Sequence, residues 1–102
     1  IFIGPRSSQI LEMGNKIRAR ATFRKLGLNP VPGSKVEVSD DAVAAELAKD
    51  IGFPVVVKAA LGGGGKGIRI VNNESQLIGA LHIARTEAEA YFGDESIYLE
   101  KF

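Results

Sequence analysis

Two β-branched stretches, Val55-Val56-Val57 running on to Ala60 and Ile68-Arg69-Ile70-Val71, are joined by Leu61 to Gly67, of which Gly62 to Gly65 and Gly67 are glycine. A connection this short has no room for the crossover that parallel neighbours need, so the two strands must pair antiparallel. The first extended run is read from Phe53 to Ala60, with Pro54 confined to its start, where a strand tolerates a residue without an N–H. Whatever else the chain does, it must pack something against this hairpin.

The flanking sequence supplies helices. Gly4-Pro5 ends an opening extended stretch, and Ser7-Ser8 are read as the cap of a short helical segment to about Met13. Asn15 caps a helix to Leu26, which Gly27 stops. Two prolines and a glycine make Asn29 to Ser34 a connector. Ser39 or Asp40 caps the next helix, whose residues Val43, Ala44, Leu47, Ala48 and Ile51 keep the spacing of one buried face before Gly52. Asn73 and Gln76 form a capping-box-like start for a longer helix. Its apolar face is Leu77, Ala80, Leu81, Ala84, Ala88 and Tyr91, followed by Gly93 and a strand from Ser96. The expected fold is α+β: a small antiparallel sheet of about three strands with helices packed on one face.

At 45% hydrophobic and 25% charged, 102 residues can bury one modest core. A net charge of +1 points to neither nucleic acid nor a membrane surface as partner. The absence of cysteine removes disulfides and thiolate metal sites and is compatible with the cytosol, and the single His82 cannot build a metal cluster alone. No apolar stretch approaches the roughly 20 residues that span a bilayer, and Ile1 to Ile3 is too short for a signal-peptide core. The chain opens on Ile1-Phe2-Ile3 and closes on Tyr98-Leu99-Glu100-Lys101-Phe102, apolar sequence without polar flanks, which leads us to expect a piece of a longer chain.

The glycine loop admits three phosphate motifs. A P-loop fails twice, because Gly65-Lys66 is followed by Gly67 and the first required glycine falls on Ala60. Gly62, Gly64 and Gly67 match the dinucleotide spacing, but that motif must open a helix and Ile68 opens a strand. A glycine hairpin folded over a triphosphate fits the context, although Arg69 stands where the kinase pattern requires valine. Bare backbone brings N–H groups close to phosphate oxygens, and Lys66 and Arg69 add positive charge.

The competing reading of the glycines is a hairpin tip without a role, and Lys58 weighs against it. It interrupts an apolar strand four residues before the loop, and its ammonium needs either solvent or an anion. Lys16, Arg20 and Arg24 lie four apart on one helical stripe, most simply a solvated face. Glu100, between Tyr98 and Phe102, reads as an outward-facing strand carboxylate, and His82 as a surface or half-buried residue. Asp40-Asp41 and Asp94-Glu95 are accounted for by caps and turns, so no paired acid–base catalysis is indicated.

Several motifs occur together in a fixed order. They are Phe2-Ile3-Gly4-Pro5, Met13-Gly14-Asn15-Lys16, Val31-Pro32-Gly33-Ser34 and Ile51-Gly52-Phe53-Pro54-Val55-Val56-Val57-Lys58-Ala59. Gly62 to Gly67, Glu87-Ala88-Glu89-Ala90-Tyr91-Phe92-Gly93-Asp94 and Tyr98-Leu99-Glu100-Lys101-Phe102 follow. This pattern resembles the ATP-grasp region of biotin carboxylase, the ATP-using component of acetyl-CoA, propionyl-CoA and pyruvate carboxylases, over essentially the whole chain. The resemblance implies that residues 1–14 are the tail of a preceding domain and 15–102 the lid that closes over ATP, cut at its hinge strand. It implies phosphate contacts from Lys16 and Lys58, a phosphate cover from Gly63, Gly64 and Gly65 with Lys66, and an adenine site at Ile68, Glu100 and Lys101. Ile68 departs from the family's usual methionine, and Asn15 from its common aspartate.

The implied reaction is carboxylation of biotin by bicarbonate and ATP. Magnesium or manganese and the bicarbonate and biotin residues would be held beyond Phe102, so this piece carries no catalytic or metal residue and is expected to be inactive alone. The implied partners are ATP, the rest of the carboxylase subunit, the biotin carboxyl carrier domain and the carboxyltransferase, with no nucleic acid and no membrane. The implied location is the cytoplasm, or the mitochondrial matrix for a eukaryotic carboxylase. Two alternatives stay open: the lid of another ATP-grasp ligase, such as one resembling carbamoyl-phosphate synthetase, or a non-catalytic interaction module.

Overall fold

The computed structural model describes residues 3–34, 37–62 and 65–102. The chain order is α1 (Ser7–Gly14), α2 (Lys16–Lys25), α3 (Asp41–Ile51), β1 (Val55–Ala59), β2 (Ile68–Val71), α4 (Glu74–Phe92) and β3 (Ile97–Lys101). The three strands form one antiparallel sheet in the order β2-β1-β3, so the hairpin expected from the glycine loop is present and β3 closes on its other side. The α+β arrangement is as expected.

Local sequence accounts for the helix ends. The Asn15 side chain accepts from the N–H groups of Ile17 and Arg18, and Asp40 from those of Ala42 and Val43, satisfying donors that a helix start leaves free. Asn73 accepts from the Gln76 N–H while the Gln76 side chain accepts from the Asn72 N–H, a box shifted by one residue. Ser7 and Ser8 are not caps: α1 already contains them, and Gln9 closes its first turn by accepting from the Arg6 N–H at 2.8 Å.

Pairing places alternate residues on opposite faces of the sheet. Val55, Val57, Val71, Ile97 and Leu99 face α3 and α4 and form the core with Val38, Ala44, Ala48, Leu77, Leu81 and Ala84. Burying each large aliphatic side chain contributes about 1.5–3 kcal/mol, more than any exposed ion pair here can supply. Two residues assigned to buried helix faces are exposed. Val43 is 59% exposed because the stripe that meets the sheet runs through Ala44 and Ala48, one helical step away. Tyr91 is 58% exposed, because the buried stripe of α4 ends at Ala88. The first strand is also shorter than read, starting at Val55 rather than Phe53.

The opposite face carries Val56, Lys58, Ile68, Ile70, Tyr98 and Glu100, since Lys58 pairs with both Ile68 and Tyr98, and Val56 with Ile70 and Glu100. Helix α2 reaches this face through Arg20. The helices thus do not share a single role: α3 and α4 build the core, and α2 addresses the other side.

Candidate functional site: a cationic face beside the glycine loop

The end of β1 fixes α2 beside the loop. Ala60 donates its N–H to the Ser96 carbonyl at 2.8 Å and accepts from the Lys16 N–H at 3.0 Å, so the first residue of α2 is held against the strand end. The Lys16 ammonium then donates to the Gly62 carbonyl at 2.5 Å. Burial, and next the charge of Lys58, hold the Lys16 ammonium below its ordinary pKa of 10.5, with Glu100 acting weakly the other way. Two ammonium groups are therefore held close enough to repel, and such a pair favours a polyanion.

Lys58 and Glu100 are not placed as their separate readings had them. Glu100 is not an outward carboxylate: its side chain is 14% exposed, with Oε1 accepting from Arg20 Nη1 at 2.8 Å and Oε2 from Lys58 Nζ at 2.6 Å. Lys58 thus finds its anion inside the protein. Nor is the stripe of Lys16, Arg20 and Arg24 a solvated face, because Arg20 is buried and also donates to the Val31 carbonyl. Sequence reasoning missed this role of Arg20. The available signal was its position one helical turn after Lys16, which puts both on the same side of α2.

The other expected residues divide. Ile68 shares the face with Lys58, and Ile70, which the sequence reading did not single out, extends the same apolar strip. The Lys101 side chain points to the other face and donates to the carbonyls of Gly52 and Phe53 at 2.7 and 3.1 Å, while its N–H is taken by the Pro32 carbonyl. Gly65 has open space around its Cα and a φ of +78°. Gly63 and Gly64 lie outside the described residues. Lys66 does not join Lys16 and Lys58 but rests over the Tyr91 ring at 4.1 Å. Arg69 adds no free charge to the loop, because it is paired with Glu87. Glu87 also accepts from the Gly67 N–H at 3.3 Å, so α4 anchors the base of the loop. Twenty residues separate Glu87 from Gly67, and nothing local in the sequence announces the contact.

Tyr98 lies on the same face under the Arg20 guanidinium, 6.0 Å from its ring centroid, and burial with the Glu100 charge raises its pKa above the ordinary 10. The unfolded chain ionises this phenol near pH 10 and the folded chain does not, so the contribution is intact below pH 10 and is lost as pH rises beyond it. Lys16 acts in the opposite sense. Its folded pKa is depressed, so stability rises as pH approaches 10.5 and the penalised charge is shed. Urea unfolding from pH 8 to 11 should show Tyr98→Phe flattening the loss above pH 10 and Lys16→Met flattening the rise below 10.5.

A three-stranded sheet with α3 and α4 on one face, and Lys58 on the other beside the glycine hairpin that Lys16 also reaches, fits the ATP-grasp resemblance of the sequence. Residues 15–102 match the family described as carbamoyl-phosphate synthase L chain, ATP binding domain, and the chain belongs to that family. Among curated proteins it is 44% identical to a biotin carboxylase of Pseudomonas aeruginosa, over 99% of this chain and 23% of that protein. Among solved structures it is similar to a biotin carboxylase–β,γ-ATP complex from Campylobacter jejuni, with TM-score 0.94, 42% identity and coverage of 99% of this chain and 23% of that one. It is equally similar, with TM-score 0.94 and 42% identity, to the biotin carboxylase domain of Hydrogenobacter thermophilus 2-oxoglutarate carboxylase in complex with MgADP, ADP and bicarbonate, covering 99% and 22% of the two chains. The chain spans about a quarter of the length of the biotin carboxylases it matches. Among the described residues, no helix is long and apolar enough to cross a membrane.

Proposed function

We propose that residues 15–102 are the ATP-binding lid of a biotin carboxylase, with residues 1–14 the tail of the domain before it. The observation that carries this reading is the meeting of Lys16 and Lys58 at the glycine loop, close enough for one charge to disfavour the other. A triphosphate laid along this face would relieve that repulsion and exclude water from the charges as the loop closes. Lys16 and Lys58 contact the phosphates, and Gly63, Gly64 and Gly65 cover them with Lys66 at the rim. Ile68 supplies the apolar wall for the purine, while Glu100 and the backbone at Lys101 hold its polar edge.

Magnesium does not fit this face. Among the described residues, the carboxylate it offers is Glu100, taken by two cations, and no three His, Cys, Asp or Glu gather as ligands. A hard cation needs several free oxygens. The metal, bicarbonate and biotin steps are therefore assigned to no residue of this chain. In the whole carboxylase the lid would serve carboxylation of biotin by bicarbonate at the expense of ATP. The carrier domain and carboxyltransferase are partners of that larger protein, which would reside in the cytoplasm or the mitochondrial matrix.

Titration of the chain with Mg-ATP, followed by backbone amide NMR, tests the reading. Shifts should concentrate at Lys16, Lys58, Gly62 to Gly67 and Glu100. Shifts spread evenly, or absent at millimolar ATP in both this chain and a longer polypeptide, would overturn it.

A further inference from the structure

We propose that Arg20 is a positioning residue for nucleotide binding: it is the permanent counter-ion of Glu100 and thereby frees Lys58 to exchange between Glu100 and a phosphate. The inference rests on the ATP reading above. It begins from an asymmetry between the two cations that share Glu100. The Arg20 side chain is 8% exposed, fixed by the Val31 carbonyl and lying over the Tyr98 ring. The Lys58 side chain is 29% exposed, on a flexible stem that no other hydrogen bond among the described residues holds. One partner is built in, and the other is able to leave.

A carboxylate this sheltered is strongly disfavoured without a cation. Were Lys58 its sole partner, moving Lys58 onto a phosphate would strand Glu100, and ATP affinity would fall by that cost. With Arg20 in place, Glu100 stays paired when Lys58 departs. Arg20 and Glu100 also cancel in charge, so Lys16 and Lys58 remain as the net charge presented to the nucleotide. The fold accepts a cost to keep the guanidinium here, since Arg20 Nε is buried without a hydrogen-bond partner among the described residues.

The test compares ATP with adenosine by calorimetry in the complete carboxylase polypeptide, because their affinity ratio isolates the phosphate contribution. In Arg20→Met, Lys58 becomes the sole partner of Glu100, and the ratio should fall about tenfold, a loss of about 1.4 kcal/mol. Adding Glu100→Gln removes the charge that detains Lys58. Loss of the purine contact proposed for Glu100 weakens ATP and adenosine alike, so the ratio, though neither affinity, should recover in the double variant to within about threefold of wild type. Removing both members of a buried ion pair is tolerated better than removing one, so the double variant retains a folded reference. Should Arg20→Met not fold, Arg20→Lys takes its place. It keeps the charge but loses the fork that reaches both Glu100 and the Val31 carbonyl, and should lower the ratio several-fold. A ratio unchanged in the Arg20 variant, or a fall that Glu100→Gln does not recover, would overturn the proposal. Failure of the wild-type protein to bind ATP would instead remove the lid reading itself.

Discussion

Replacing Lys16 and Lys58 together with methionine should weaken ATP binding by at least about a hundredfold while leaving the fold intact. On the proposed ATP reading each ammonium makes charge-assisted hydrogen bonds to phosphate oxygens, worth about 1.5–3 kcal/mol apiece, so losing two costs about 3–6 kcal/mol. Each single variant should lose about tenfold to a hundredfold. The fold has little to lose at either position. Lys16 is held below its ordinary pKa by burial and by Lys58, so its charge already opposes the folded state. Glu100 keeps Arg20 when Lys58 is removed. Methionine retains the apolar stem that packs along the sheet. Calorimetry with ATP and urea unfolding of the same complete polypeptide separate the two effects. Binding within threefold of wild type would overturn the phosphate assignment, and a large loss of stability would show the lysines to be structural.

Where the determinant of a feature is local, the sequence carries it openly. The β1–β2 hairpin follows from β-branched runs and a short glycine connection, and the start of α2 from one asparagine placed before a run of helix formers. The family resemblance then brought Lys16, Lys58 and Glu100 into one account that their separate readings had not given. Contacts across long separations are another matter. Arg20 and Glu100 are 80 residues apart, and each was read as a solvent-facing charge because each alone looks like one. Their pairing depends on α2 being held at the end of β1, where Arg20 reaches the sheet face opposite the core, which no periodicity in either segment encodes. Arg69 failed for the same reason: its partner Glu87 comes from α4, 18 residues on. Val43 and Tyr91 show the limit of a pattern that fixes a helix face but not its width or its end.

The glycines of the loop should divide by mutation into those the fold needs and those the ligand needs. Gly67→Val should destabilise the protein by about 3 kcal/mol or more, from a strained backbone and an overfilled site together. Gly67 is buried at φ +71°, and a Cβ there would meet the Ala59 Cβ at 2.9 Å. It cannot swing aside cheaply, because its carbonyl accepts from the Ala59 N–H at 3.0 Å and its N–H donates to Glu87. For a chain of this size that loss lowers Tm by roughly 12 °C or more. Gly65 is exposed and open where Gly67 is buried and filled. Its φ is also positive, at +78°, but nothing lies within 4 Å of the position of a Cβ. Gly65→Val should therefore cost about 1 kcal/mol in backbone strain, with a correspondingly small fall in Tm. On the proposed phosphate-cover reading the branched side chain would stand between the backbone at Gly65 and the phosphates, and KM for ATP should rise about tenfold. Thermal unfolding of this chain and steady-state kinetics of the complete carboxylase polypeptide carrying the same substitutions decide the matter. Full ATP use by Gly65→Val would remove the phosphate-cover reading, and a Gly67→Val protein as stable as Gly65→Val would show that contact with Ala59 does not hold the loop.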